Sequence, residues 1–112
     1  MNYKRLIENG INLAKNGKLI EAETIYRDLV KQGTQDHVVL GNLGTLCSMR
    51  GEKDEAIKFL NQALKLKPNF SDAYNSLAVL QKDQGNVNEA IESFKKAIQY
   101  KPDYPVAHCN LG

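Results

Sequence analysis

From His37 to Phe70 the chain runs HVVLGNLGTLCSMRGEKDEAIKFLNQALKLKPNF, and the pattern in these residues organises all the rest. Apolar side chains at Leu40, Leu43, Leu46 and Cys47, and then at Ala56, Ile57, Leu60, Ala63 and Leu64, recur every three or four residues. That spacing puts one face of an α-helix against a core. Gly51 falls between the two runs. A residue without Cβ can take the left-handed conformation that closes a helix C-terminus, so Gly51 reads as a turn between two helices and not as a phosphate loop. Pro68 ends the second run, because proline supplies no amide proton and clashes with the preceding helical turn.

The same pattern returns 34 residues away in both directions. Gly17, Gly51 and Gly85 are each followed by Glu-Ala, at Glu21-Ala22, Glu55-Ala56 and Glu89-Ala90. Leu43, Leu77 and Leu111 share a phase, as do Gly10, Gly44, Ala78 and Gly112, then Ala63 and Ala97, then Pro68 and Pro102. Three two-helix units follow, at 3–36, 37–70 and 71–104, within a single domain 1–112. Residues 105–112 read PVAHCNLG, the opening of a fourth unit that stops in its first helix. Small residues mark where paired helices come close, Gly44 with Ala56 and Ala78 with Ala90, while Ala63 and Ala97 do the same toward the next unit. One unit cannot bury both sides of its apolar stripe, so stacking of neighbours creates the core.

Composition narrows the function. With 42% hydrophobic and 25% charged residues the chain has the balance of a globular domain. Fifteen Lys and Arg against thirteen Asp and Glu leave +2, spread along the chain, so neither nucleic acid nor an anionic membrane is an expected partner. No apolar run reaches the roughly 20 residues that span a bilayer, and the opening MNYKRLIEN loses its hydrophobic character at Glu8 and Asn9 before a signal core forms. A cytoplasmic location is expected, and the sequon Asn69-Phe70-Ser71 is read as accidental. Two cysteines and two histidines match no zinc spacing, and the adjacent His108 and Cys109 diverge on a helix. No metal, cofactor or catalytic constellation is expected, and the chain reads as a non-enzyme.

The residues Leu43-Gly44, Gly51, Ala56, Leu60, Ala63 and Pro68, and again Tyr74, Leu77-Ala78, Gly85, Ala90, Phe94, Ala97 and Pro102, resemble the tetratricopeptide repeat over nearly the whole chain. The first unit departs most, with Asn9 at the usual leucine, Leu29 at the usual alanine and Thr34 at the usual proline. Cys47 and Gln81 replace an aromatic common late in the first helix, and Cys47 is read as a small buried hydrophobe. The resemblance implies an all-α, right-handed superhelical solenoid of antiparallel helix pairs whose first helices line a concave face.

It also implies the function: a protein–protein interaction scaffold that binds a peptide or protein segment in the concave groove. The alternative is a noncatalytic, substrate-positioning arm of a larger enzyme such as a glycosyltransferase. Projecting the family's groove positions gives Ile7, Ile11, Asn42, Thr45, Asn75, Val79 and Asn110 as the peptide-binding residues, within a wider lining that adds Lys4, Lys15, Val38, Gly41, Met49, Asp72, Ser76, Asp83 and Cys109. Amide and hydroxyl groups among aliphatic ones suit an extended backbone that needs partners once desolvated. Members that clamp the C-terminal carboxylate of heat-shock chaperones use basic and asparagine side chains where this chain has Ile7 and Ile11, so that subclass is not expected. Asn42 and Asn110 hold the phase at which repeats similar to those of O-linked N-acetylglucosamine transferase present asparagines to a polypeptide. Ser76 interrupts that ladder and Glu8 does not begin it, so both asparagines can equally be solvated polar residues. Lysines 58, 65, 67, 95, 96 and 101 read as a solvated outer face, with Glu55 to Lys58 and Glu92 to Lys95 and Lys96 spaced for weak pairing. The fourth unit's uncovered edge, at Ala107 and Leu111, predicts weak homo-oligomerisation.

Overall fold

A computed structural model describes residues 3–103 as six helices, with no strand among the described residues. They are α1 (Tyr3–Lys15), α2 (Leu19–Lys31), α3 (His37–Met49), α4 (Lys53–Leu66), α5 (Ser71–Asp83) and α6 (Val87–Tyr100). The sequence predicts about seven helices; the seventh, with Ala107, Asn110 and Leu111, lies outside the described residues.

Each helix C-terminus has a chemical cause. Gly17, Gly51 and Gly85 have φ of 79°, 82° and 83°, the left-handed conformation that only glycine adopts without strain. Behind each one the next amide returns to a carbonyl of the last helical turn, as Glu52 N–H does to the Cys47 carbonyl at 2.9 Å. Helices α4 and α6 stop at Leu66 and Tyr100, before Pro68 and Pro102. The first unit lacks that proline, and Gly33 (φ 82°) closes α2 in its place, with Thr34 N–H on the Leu29 carbonyl at 3.1 Å. Asp36 then opens α3: its Oδ1 accepts from the amides of Val38 at 2.8 Å and Val39 at 3.2 Å. Such a cap stabilises a helix by about 1 kcal/mol.

Packing within a unit rests on one large and one minimal side chain at fixed positions. Tyr26, Leu60 and Phe94 are equivalent residues of the three second helices, and all three are buried. Opposite them stand Gly10, Gly44 and Ala78. A Cβ on Gly10 would lie 2.7 Å from Cε1 of Tyr26, and one on Gly44 would lie 2.7 Å from Cγ of Leu60 and 3.2 Å from the Ala56 carbonyl oxygen. The helices therefore come close only because those side chains are absent. Ala78 tolerates its own Cβ in a cluster with Ala90, Phe94 and Ala97. The remaining core runs continuously through the first two units and into α5 at Ala73 and Leu80.

The units stack into an elongated body, 42 × 26 × 26 Å. At the second junction α3 meets α5 directly, whereas α4 and α6 scarcely approach each other. At that junction the first helices thus lie on the inner side and the second helices outside. This is the all-α repeat solenoid of helix pairs that the periodicity predicts.

Candidate binding groove

Along the inner side, the same two repeat positions face each junction between consecutive first helices. In the second junction these are Thr45 on α3 and Ser76 on α5, whose hydroxyl oxygens lie 2.9 Å apart. Thr45 donates its single proton to the Gly41 carbonyl at 3.0 Å, so Ser76 is the donor between the two. In the first junction the equivalent residues are Ile11 and Asn42. No hydroxyl bridge can form there, and α1 stands off from α3.

The space left between them is a depression of about 420 Å³, lined by Ile11, Ala14 and Lys15 of α1, Leu19 of α2, and Asn42, Thr45, Leu46 and Met49 of α3. Its wall is aliphatic, with one amide, one hydroxyl and one ammonium group, the balance of a site that buries apolar surface and orients it with few polar contacts. Met49 is 64% exposed at its rim, far more than a core methionine would be.

Three of the residues projected from the family's groove positions, Ile11, Asn42 and Thr45, meet in this depression. Asn75 and Val79 lie one turn apart on α5, the next first helix, and Val79 packs beside the Ala78 cluster. Ile7 is not part of the same pocket. It lines a separate depression of about 400 Å³ with Tyr3 and residues Gln32 to Asp36 of the loop before α3. Asn110 lies outside the described residues.

Asn42 has a partner that neither a peptide ladder nor a solvated face foresees. Its side-chain amide donates to the Tyr26 phenol oxygen at 3.2 Å. Burial raises the Tyr26 phenol above its ordinary pKa, and the Asn42 bond works in the opposite direction. The amide oxygen stays out of that contact.

Behind the groove, a group of charges joins the first two units that the repeat pattern does not reveal. Glu23 on α2 is nearly buried, its side chain 8% exposed, and its Oε2 accepts from Nε of Arg27 and from Nη1 of Arg50, each at 2.8 Å. Arg27 also grips Glu55 with two bonds of 3.0 Å, the fork geometry that suits a carboxylate. The Arg27 guanidinium holds the Glu55 carboxyl below the usual range. Glu55 therefore pairs across units with Arg27, correcting the expected Glu55–Lys58 pairing; the expected Glu92–Lys95 pair is present at 3.9 Å. A helical i, i+4 spacing signals Glu23 with Arg27, but nothing local signals a Glu55 that is 28 residues further on.

Cys47 is fully buried at the edge of this group, with Nη2 of Arg27 3.5 Å from its Sγ. Burial pushes the thiol pKa up against the opposing pull of Arg27, which keeps it a neutral packing group. Among the described residues no three His, Cys, Asp or Glu side chains gather where a metal ion could sit, and no helix is long and apolar enough to cross a membrane.

Comparison with known proteins agrees with this architecture. Family models described as tetratricopeptide repeat match residues 37–70 and 59–92, and one described as TPR repeat matches residues 82–112. No curated relative matches the sequence. Among solved structures, the crystal structure of MamA is similar at 27% identity, with a TM-score of 0.85 over 98% of this chain. The chain spans 64% of that protein's length. The first TPR of Spaghetti (RPAP3), bound to the HSP90 peptide SRMEEVD, is 22% identical, with a TM-score of 0.81 over 95% of this chain and 84% of its own. An O-GlcNAc transferase of Thermobaculum terrenum is 24% identical, with a TM-score of 0.89 over 96% of this chain and only 21% of its own. The last two likenesses are of fold alone. The 34-residue period, the glycine-closed helix pairs, the stacking of first helices on the inner side and the family matches across residues 37–112 agree, and the chain belongs to the tetratricopeptide repeat family.

Proposed function

We propose that this chain is a noncatalytic protein-interaction scaffold that takes an extended peptide along the inner faces of α1, α3 and α5. The depression between α1 and α3 carries the reading: it offers apolar surface at Ile11, Leu19 and Met49 beside the Asn42 amide and the Thr45 hydroxyl. Extended peptides are recognised in this way, with side chains buried in pockets and backbone groups bonded at intervals. Asn75 and Val79 continue the lining on α5, and Asn110 is the residue that would extend it in the next unit.

The similar TPR domain of Spaghetti binds an HSP90 peptide, which supports a protein or peptide partner here. The partner differs in chemistry, because Ile7 and Ile11 stand where a carboxylate clamp needs a cation and an amide. Titrating isotopically labelled protein with a peptide pool while following amide chemical shifts tests the proposal. Shifts concentrated at Ile11, Asn42, Thr45 and Met49, and reduced in an Asn42→Ala, Asn75→Ala double variant, are expected. Shifts confined to the outer faces of α4 and α6, or equal binding by both proteins, would overturn it.

A further inference from the structure

The inner face is electrically uneven along its length. Lys15, Met49 and Asp83 hold one repeat position in three successive units, each as the last residue of its first helix. They stand one turn beyond Ile11, Thr45 and Val79 and so share the face of those residues. All three are exposed, and Lys15 and Met49 line the same depression. Among the described residues neither Lys15 nor Asp83 enters an ion pair.

The groups around each end keep this contrast. Lys18 is also exposed and lines a shallow depression that shares Leu19 with the first, with Glu21 beside it. At the other end Asp83 is the one acidic residue in the last turn of α5, while Asp72, in the first turn of that helix, lies 3.9 Å from Lys101. Lys82 is equivalent to Ala14 and Ser48, which are partly buried, and flanks the row without belonging to it. The row therefore reads cation, thioether, carboxylate.

Helices in direct contact sit about 8–10 Å apart and α1 stands off from α3, so the row covers about 18–20 Å. An extended chain advances about 3.3 Å per residue and crosses that distance in five or six residues. We infer that the groove selects an extended peptide with a carboxylate facing Lys15, a bulky apolar side chain two or three residues along in the Ile11–Met49 depression, and a basic residue near Asp83. This rests on the peptide-binding reading above and adds its sequence preference and its orientation. The apolar anchor supplies most of the affinity, because charges on an exposed rim are screened and individually weak. The two opposite charges set register and direction, since the wrong orientation places like charges together at both ends.

Selection of a displayed random twelve-residue library on the immobilised 112-residue protein tests the inference. Wild type should enrich an acidic residue, a bulky apolar residue two or three positions away and a basic residue five or six positions from the acid. Lys15→Asp should turn the acidic preference into a basic one, and Asp83→Lys the basic preference into an acidic one. Both should keep the apolar anchor, and circular dichroism should show both variants folded. In a synthetic peptide of the enriched pattern, replacing the anchor by alanine should weaken binding at least tenfold, and replacing either charge by glutamine about threefold. Enriched peptides with no charge pattern, or the same pattern on all three proteins, would overturn the inference and leave peptide binding standing. No enrichment on any of them, or binding that an Ile11→Arg variant leaves unchanged, would overturn both.

Discussion

The two junctions between units do the same job with different materials. Between the first and second units, the outer side is tied by Glu23, Arg27, Arg50 and Glu55, and the inner side stays open as the Ile11–Met49 depression. Between the second and third, the residues equivalent to Glu23, Arg27 and Arg50 are Ile57, Asn61 and Gln84, none of them ionised. There the inner side is closed by the Thr45–Ser76 hydroxyl bond, and Phe70 lies over α3, where a Cβ on Gly41 would come within 2.6 Å of its ring. The His37 ring meets Phe70 edge to face at 5.0 Å. What recurs is the pairing of a small residue with a large one inside each unit. What does not recur is the polar link between units, so the depression opens where the inner link is missing.

Overpacking the recurrent part should have the largest effect and strike both units alike. Ala56→Leu and Ala90→Leu each place a large side chain where the helix pair is closest, and each should cost about 1–3 kcal/mol by urea denaturation. A neutral result at either site would show that the shared packing position has been misassigned.

Removing the link peculiar to the first junction should come next. Arg27→Leu leaves Glu23, which is almost without solvent, with Arg50 as its one remaining counter-charge. About 1–2 kcal/mol should be lost, the lower end reflecting an Arg27 side chain that is itself 35% exposed. Asn61→Leu, the equivalent change one unit on, should stay within about 0.5 kcal/mol. Copying the second junction wholesale, as Glu23→Ile, Arg27→Asn and Arg50→Gln together, should cost less than Arg27→Leu alone, because no buried charge is left behind.

The pH dependence of stability should also single out the first junction. Cys47 and Tyr26 have pKa values raised by burial, so the folded state holds their protons more tightly than the unfolded chain. Their contribution is complete below the unfolded values, about 8.5 and 10, and is lost as pH rises through the folded ones. Urea midpoints should therefore fall above about pH 8, and less steeply in Cys47→Ala and Tyr26→Phe. Glu55 has the opposite sign: its lowered pKa stabilises the fold above the ordinary carboxylate value and is lost as pH falls, so Glu55→Gln should flatten the acid limb.

The smallest effect belongs to the inner link of the second junction. Thr45→Val removes a hydroxyl bond whose partner, Ser76, is only half-buried and can turn to water. A loss of about 0.5–1 kcal/mol is expected. Opening of the α3–α5 side should show as faster amide hydrogen exchange in α5 than in α3, and unchanged exchange would mean that the bond does not hold the two helices together.

The sequence by itself determined the parts of this protein that depend on positions close along the chain. Glycines and prolines placed the helix ends, three- and four-residue spacing placed the buried faces, and the 34-residue period identified the stack, while the family resemblance pointed to first helices on its inner side. Even Gly33, which closes the first unit where a proline is missing, acts within its own turn. Only the tertiary structure decided which side chains meet across units. It joined Asn42 to Tyr26, gave Glu55 to Arg27 instead of Lys58, gathered Ile11, Asn42 and Thr45 into one depression and left Ile7 in another. Helical periodicity fixes the direction of a side chain about its own helix axis. Distances between side chains of different units depend on how closely two helices pack, and that closeness is set by the size of every residue between them.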